Sequence, residues 1–123
     1  MITEAAVRAN DAVVTVPSPT QGEAPSCTFV AAAVDGDLVV VASVGDSRAY
    51  WLPDEGPGTR LSTDDSWAQE MSELGMPASQ VATAPQRHAI TRWLGADAPE
   101  IAPRTDTVTV TAPGWLLLCS DGL

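Results

Sequence analysis

Two segments of this chain carry residues whose types and placement could do chemistry. Gly45-Asp46-Ser47-Arg48 follows the apolar run Leu38-Val39-Val40-Val41-Ala42-Ser43-Val44, and Ser120-Asp121-Gly122 follows Leu116-Leu117-Leu118-Cys119. Each run reads as a β-strand that delivers one carboxylate to a turn. A carboxylate at the tip of a buried strand is costly unless paired, and a bound cation is one way to offset that cost. Asp46 and Asp121 are therefore candidate ligands of hard divalent cations, which take oxygen ligands in preference to His or Cys. The plainer alternative is that both aspartates form turns and bond nearby backbone amides. Two hard cations held by carboxylates and water can clamp a phosphate and supply a hydroxide nucleophile near neutral pH.

Other chemistries find little support. The chain has one histidine, His88, which reads as a loop or strand residue. A Ser/His/Asp triad would have to use it, and no GxSxG elbow accompanies it. No Walker-type or GxGxxG phosphate loop is present. No residue is assigned as a general acid, base or protein nucleophile. Cys27 and Cys119 sit far apart, outside any CxxC or Cys/His cluster, and are expected to be buried, inert thiols in a reducing compartment. Arg48 reads as a structural fork holding acidic neighbours. Asp64-Asp65-Ser66 reads as a helix N-cap, where negative charge is favourable.

The elements that must position these residues follow from pattern. Ile2, Ala6, Ala9 and Val13 recur at three- and four-residue steps, which predicts a short amphipathic helix over 3–14. Pro17, Pro19, Gly22 and Pro25 break it into a surface loop. Two apolar runs, 27–34 and 38–44, flank Asp35-Gly36, the strongest short hairpin signal when both central residues take positive φ. Their near-continuous apolarity predicts strands covered on both faces. Arg48–Leu52 resumes an extended strand, with Tyr50 and Trp51 on opposite faces, and Thr59–Ser62 returns. Ser66 and Gln69 have capping-box spacing, Trp67, Met71 and Leu74 form an apolar stripe, and Gly75 is placed to stop that helix. The stretch 77–85 reads as a mobile excursion with one helical turn. Ile101–Val110 alternates as a half-exposed strand does, and Trp115–Cys119 reads as a final buried strand. Helices beside antiparallel strands make an α+β layered domain.

Composition narrows the partners. Sixteen Asp and Glu against six Lys and Arg give a formal net charge of −10, which argues against nucleic-acid or anionic-membrane binding. At 123 residues the chain is one domain or part of one. No basic segment followed by an apolar one opens it, and no run approaches the ~20 apolar residues of a membrane span. A cytoplasmic location is expected.

Read in order, Val44-Gly45-Asp46-Ser47-Arg48-Ala49-Tyr50, Leu61-Ser62-Thr63-Asp64-Asp65-Ser66, Arg87-His88-Ala89-Ile90-Thr91-Arg92-Trp93-Leu94-Gly95 and Leu117-Leu118-Cys119-Ser120-Asp121-Gly122-Leu123 resemble the signature of bacterial PPM-type (PP2C-like) protein serine/threonine phosphatases. The resemblance implies a layered α-β-β-α sandwich with two Mn²⁺ or Mg²⁺ ions at one end. It implies that a bridging water attacks phosphoserine or phosphothreonine without a covalent intermediate. Asp121 would coordinate a core metal and Asp46 a weaker third one, while 66–86 would be the variable flap that affects substrate choice. Phosphorylated proteins are the implied partners, with a serine/threonine kinase as one candidate.

The chain also departs from the family pattern. An Asp-Gly followed by Gly-Gly ahead of the first helix is absent, and the closing Asp-Asn would lie beyond Leu123. A phosphate-binding arginine of some members would lie upstream. Asp65 stands where bacterial relatives usually have histidine. The expectation is a partial domain, incomplete at both ends, inactive alone and poorly soluble because a strand edge is left unpaired. The alternative is a non-catalytic PPM-like module that binds and regulates a partner.

Overall fold

The Ala- and Val-rich stretches pair as two small antiparallel sheets that face each other. The computed structural model describes residues 2–18 and 21–120. After helix α1 (Ile2–Val14) and the short β1 (Ser26–Cys27), β2 (Phe29–Asp35) and β3 (Leu38–Val44) form a hairpin. Then come β4 (Arg48–Pro53), β5 (Thr59–Arg60), α2 (Trp67–Glu73), α3 (Ala78–Thr83), β6 (Leu94–Gly95), β7 (Arg104–Thr109) and β8 (Gly114–Cys119). Among the described residues one sheet has the order β2-β3-β7, the other β5-β4-β8, and β1 pairs with β6. Register is set by pairs such as Ala32↔Val41, Val41↔Asp106 and Tyr50↔Leu117.

The core lies between the sheets. Val39 and Val41 from β3 meet Ala49 from β4, with Val30, Ala32, Leu61, Val108, Val110 and Leu116 packed around them. Full burial of each valine side chain contributes about 1.5–3 kcal/mol. α1 lies against β1, β2 and β6, with Ala6 fully buried. The Asn10 side-chain oxygen accepts the Gly95 N–H at 2.8 Å, which ties this helix to β6. No helix among the described residues is long and apolar enough to cross a membrane.

Local signals hold at α2. Ser66 accepts the Gln69 N–H at 3.2 Å, although the Gln69 side chain turns to Glu73 instead of closing a capping box. Gly75 has a φ of +92°, and the bonds Gly75 N–H to Ser72 O and Met76 N–H to Met71 O close the helix as a Schellman motif. The predicted helical turn in 77–85 is α3, which packs on α2.

Other expectations change. β3 is covered on both faces, but β2 is only half-buried and Val34 is 63% exposed. β8 is not a buried strand either, because Trp115 is 74% and Leu118 41% exposed. Both are outer strands of their sheets among the described residues, so each has one hydrogen-bonded neighbour. The hairpin turn is centred on Gly36-Asp37, since Asp35 pairs with Leu38. Only Gly36 of the two has positive φ, the demand of a II′-type turn, so the requirement falls on one residue. The α2 stripe is not buried, and Leu74 points largely to solvent.

Candidate active-site cleft

β3 belongs to one sheet and β4 to the other, so the connection Gly45-Asp46-Ser47 is where the chain crosses the sandwich. A cleft of about 530 Å³ opens at this crossing. Asp46, Arg48 and Tyr50 line it from the turn and β4, Asp64 and Ser66 from the approach to α2, and Ala68 from α2 itself. Val81 and Ala82 of α3, Arg87, His88, Cys119 and Ser120 complete the wall. The four sequence motifs, scattered over the chain, therefore meet at one place.

The turn is held in a conformation few residues could adopt. Gly45 has a φ of +101°, and a Cβ there would lie 2.6 Å from the Thr28 methyl. Glycine meets both conditions. The adjacent Ser47 is buried, and its hydroxyl bonds that of Thr28 at 2.6 Å. Asp46 is half-buried on the cleft wall.

Two aspartates beside it are committed to arginines. Arg48 grips Asp64 as a fork, Nε to Oδ1 at 3.0 Å and Nη2 to Oδ2 at 2.6 Å, and Nη1 donates to the Tyr50 hydroxyl. The bonds to Asp64 and then Tyr50 raise the Arg48 pKa above its ordinary value. Arg60 stands 3.9 Å from the same carboxylate. Asp65 is fully buried, accepting from Arg104 Nε at 2.6 Å and from the Gly45 N–H at 2.9 Å, with Arg92 at 3.5 Å. Its bond raises the Arg104 pKa. A buried carboxylate is tolerated here because cations and an amide compensate its lost hydration. The fork role of Arg48 is thus borne out. The cap assignment holds for Ser66 alone, since both aspartates are drawn to long-range cations.

Among the described residues no three His, Cys, Asp or Glu gather as a metal-binding group. Asp46 has the right chemistry for a hard cation and lines the cleft, but two such ions need more oxygens than these residues bring together. Asp121, the second expected ligand, lies outside the described residues; Ser120, which precedes it, lines the same cleft.

Sequence reasoning left His88 without a site role, yet it stands on the cleft wall beside Arg87. Its place in the 87–95 motif was the available signal. The thiols also differ from expectation: Cys27 is exposed on the two-residue β1, and Cys119 is half-buried on the cleft.

Comparisons with known proteins agree on one family. No protein-family model matches the chain. The serine/threonine phosphatase Stp of Listeria innocua is 35% identical over 97 residues, 78% of this chain and 38% of the relative. The serine/threonine protein phosphatase PstP of Mycobacterium tuberculosis is 32% identical over 123 residues, 98% of this chain and 23% of the relative. The crystal structure of the Mycobacterium tuberculosis phosphatase PstP/Ppp superposes with a TM-score of 0.78 at 32% identity, covering 96% of this chain and 50% of that one. A PstP catalytic domain in complex with two manganese ions shares the fold, with a TM-score of 0.60 at 21% identity over 98% of this chain and 60% of that one. The chain thus spans 38% or less of these curated relatives and 50–60% of these two solved structures. Sequence similarity, a shared fold and the meeting of four motifs at one cleft together make this chain similar, over nearly its whole length, to part of the PPM-type serine/threonine phosphatases.

Proposed function

We propose that the protein carrying this chain is a metal-dependent phosphatase that hydrolyses phosphoserine and phosphothreonine in phosphorylated proteins, acting in the cytoplasm. The observation that carries this reading is the convergence of Asp46, Arg48, Asp64, Arg87, His88 and Ser120 on one cleft at the end of the sandwich. Asp121 is the proposed ligand of one of two core Mn²⁺ or Mg²⁺ ions and Asp46 of a weaker third one, with the remaining oxygens supplied from sequence outside this chain. When bound, two such ions activate a water and neutralise charge on the phosphoryl group.

The chain's own residues prepare that site. The Arg48–Asp64 fork stiffens β4 where it enters the cleft. Arg87 and His88 offer donors on the wall to an anionic substrate. Residues 66–86, with α2 and α3, are proposed as a flap that biases substrate choice, because Ser66, Ala68, Val81 and Ala82 line the cleft. With the ligand set incomplete among the described residues, the isolated chain is expected to hydrolyse little.

The test is phosphate release from a phosphothreonine peptide by the intact protein with added Mn²⁺. Chelation, Asp121→Asn or Asp46→Asn should each lower the rate. Release untouched by chelator and by both substitutions would overturn the reading.

A further inference from the structure

Asp65 sits between two residues that line the cleft, Asp64 and Ser66, yet is itself absent from the wall and fully buried. Its side chain turns inward, to the base of the turn that presents Asp46. The Gly45 peptide is gripped from both sides by residue 65: its N–H donates to Asp65 Oδ2 at 2.9 Å, and its C=O accepts the Asp65 N–H at 2.8 Å. The other carboxylate oxygen is held by Arg104 Nε of β7 at 2.6 Å. Arg92 approaches Oδ2 at 3.5 Å and also donates to the Ala102 carbonyl. The Asp65 carbonyl in turn accepts the Thr91 N–H at 2.9 Å.

We propose that Asp65 is a positioning residue, whose arginine-held carboxylate locks the Gly45 peptide and thereby sets where Asp46 stands at the cleft. The inference rests on the reading of Asp46 as a metal ligand. Asp65 is not itself a ligand here, because its oxygens are taken by Gly45, Arg104 and Arg92 and none reaches the cleft. Full burial also means that no water stands ready to replace its bond to Gly45. A carboxylate suits this place because Arg104 and Arg92 compensate its charge.

The experiment uses the intact protein and two readouts: amide hydrogen exchange at Gly45 without metal, and Mn²⁺ affinity by calorimetry. Asp65→Ala should speed Gly45 exchange and weaken Mn²⁺ binding by roughly tenfold or more, as loss of groups that orient metal ligands does. Should Asp65→Ala fail to fold, Arg104→Gln loosens the same carboxylate from a partly exposed position. It should move both readouts in the same direction by a smaller factor. Val39→Ala, a core change of pure destabilisation, should leave Mn²⁺ affinity at the wild-type value. Wild-type affinity in Asp65→Ala, or in Arg104→Gln where the former does not fold, overturns the proposal if Asp46→Asn weakens binding. If Asp46→Asn also binds Mn²⁺ as wild type, the ligand reading has failed, and the inference with it.

Discussion

Gly45→Ala tests the backbone of the cleft directly. With φ at +101°, any L-residue at 45 meets the left-handed penalty of roughly 1–2 kcal/mol. The added Cβ would also lie 2.6 Å from Thr28 Cγ2, 3.0 Å from Thr28 Cβ and 3.3 Å from the Arg92 carbonyl. Thr28 cannot swing aside freely, because its hydroxyl is bonded to the buried Ser47 at 2.6 Å. Overpacking of this kind costs about 1–3 kcal/mol. The two effects together predict a loss of about 2–5 kcal/mol, a large share of the roughly 5–15 kcal/mol that holds a typical domain folded. In urea unfolding of the intact protein, with m near ~2 kcal/mol/M, the midpoint should fall by roughly 1–2.5 M with m unchanged. Thr28→Ser removes the clashing methyl and keeps the hydroxyl. In the Gly45→Ala background it should recover part of the steric loss, a coupling of about 0.5–2 kcal/mol, and none of the φ penalty. A Gly45→Ala protein within about 0.5 kcal/mol of wild type would refute the reasoning. Equal loss with and without Thr28→Ser would refute its steric half.

Two further outcomes follow from the same geometry. Arg48→Ala leaves the nearly buried Asp64 with Arg60, 3.9 Å away, and should cost about 1–2 kcal/mol after discounting for the 37% exposure of the Arg48 side chain. Arg48→Lys should not restore it, because an ammonium cannot make the two-pronged bond; full recovery on thermal melting would contradict the fork. Val41→Ala removes two buried carbons at a site 2% exposed and should cost about 2–3 kcal/mol. Val34→Ala, at 63% exposure, should stay within about 0.5 kcal/mol of wild type, and equal costs at the two sites would argue against the sandwich core.

Much of the local structure was legible along the chain. The apolar runs at 27–34 and 38–44 supply most of the β2–β3 hairpin, Phe29–Asp35 and Leu38–Val44, and Ser66 and Gly75 bracket α2 as their chemistry predicts. These signals act over a few residues, through backbone sterics and neighbouring hydrogen bonds. The order of four motifs also pointed to the family, and they do meet at one cleft. How buried each strand is was less legible, because apolarity does not tell an outer strand from a central one. β3 has neighbours on both sides, whereas β8, equally apolar, exposes Trp115 and Leu118.

Sequence by itself determined the elements, their capping and the identity of the residues that could bind a cation or a phosphate. Only the tertiary structure decided which charges face each other. Asp64 and Asp65 read as helix-capping acids, yet each is claimed by arginines 16 and 39 positions away, respectively Arg48 and Arg104. The same packing brought His88 to the cleft wall and turned Asp65 away from it. Capping is a contact between near neighbours, so it can be read in one dimension. The pairing of a buried carboxylate depends on which cations the folded sheets bring within about 3 Å, and that is settled only when the chain closes on itself.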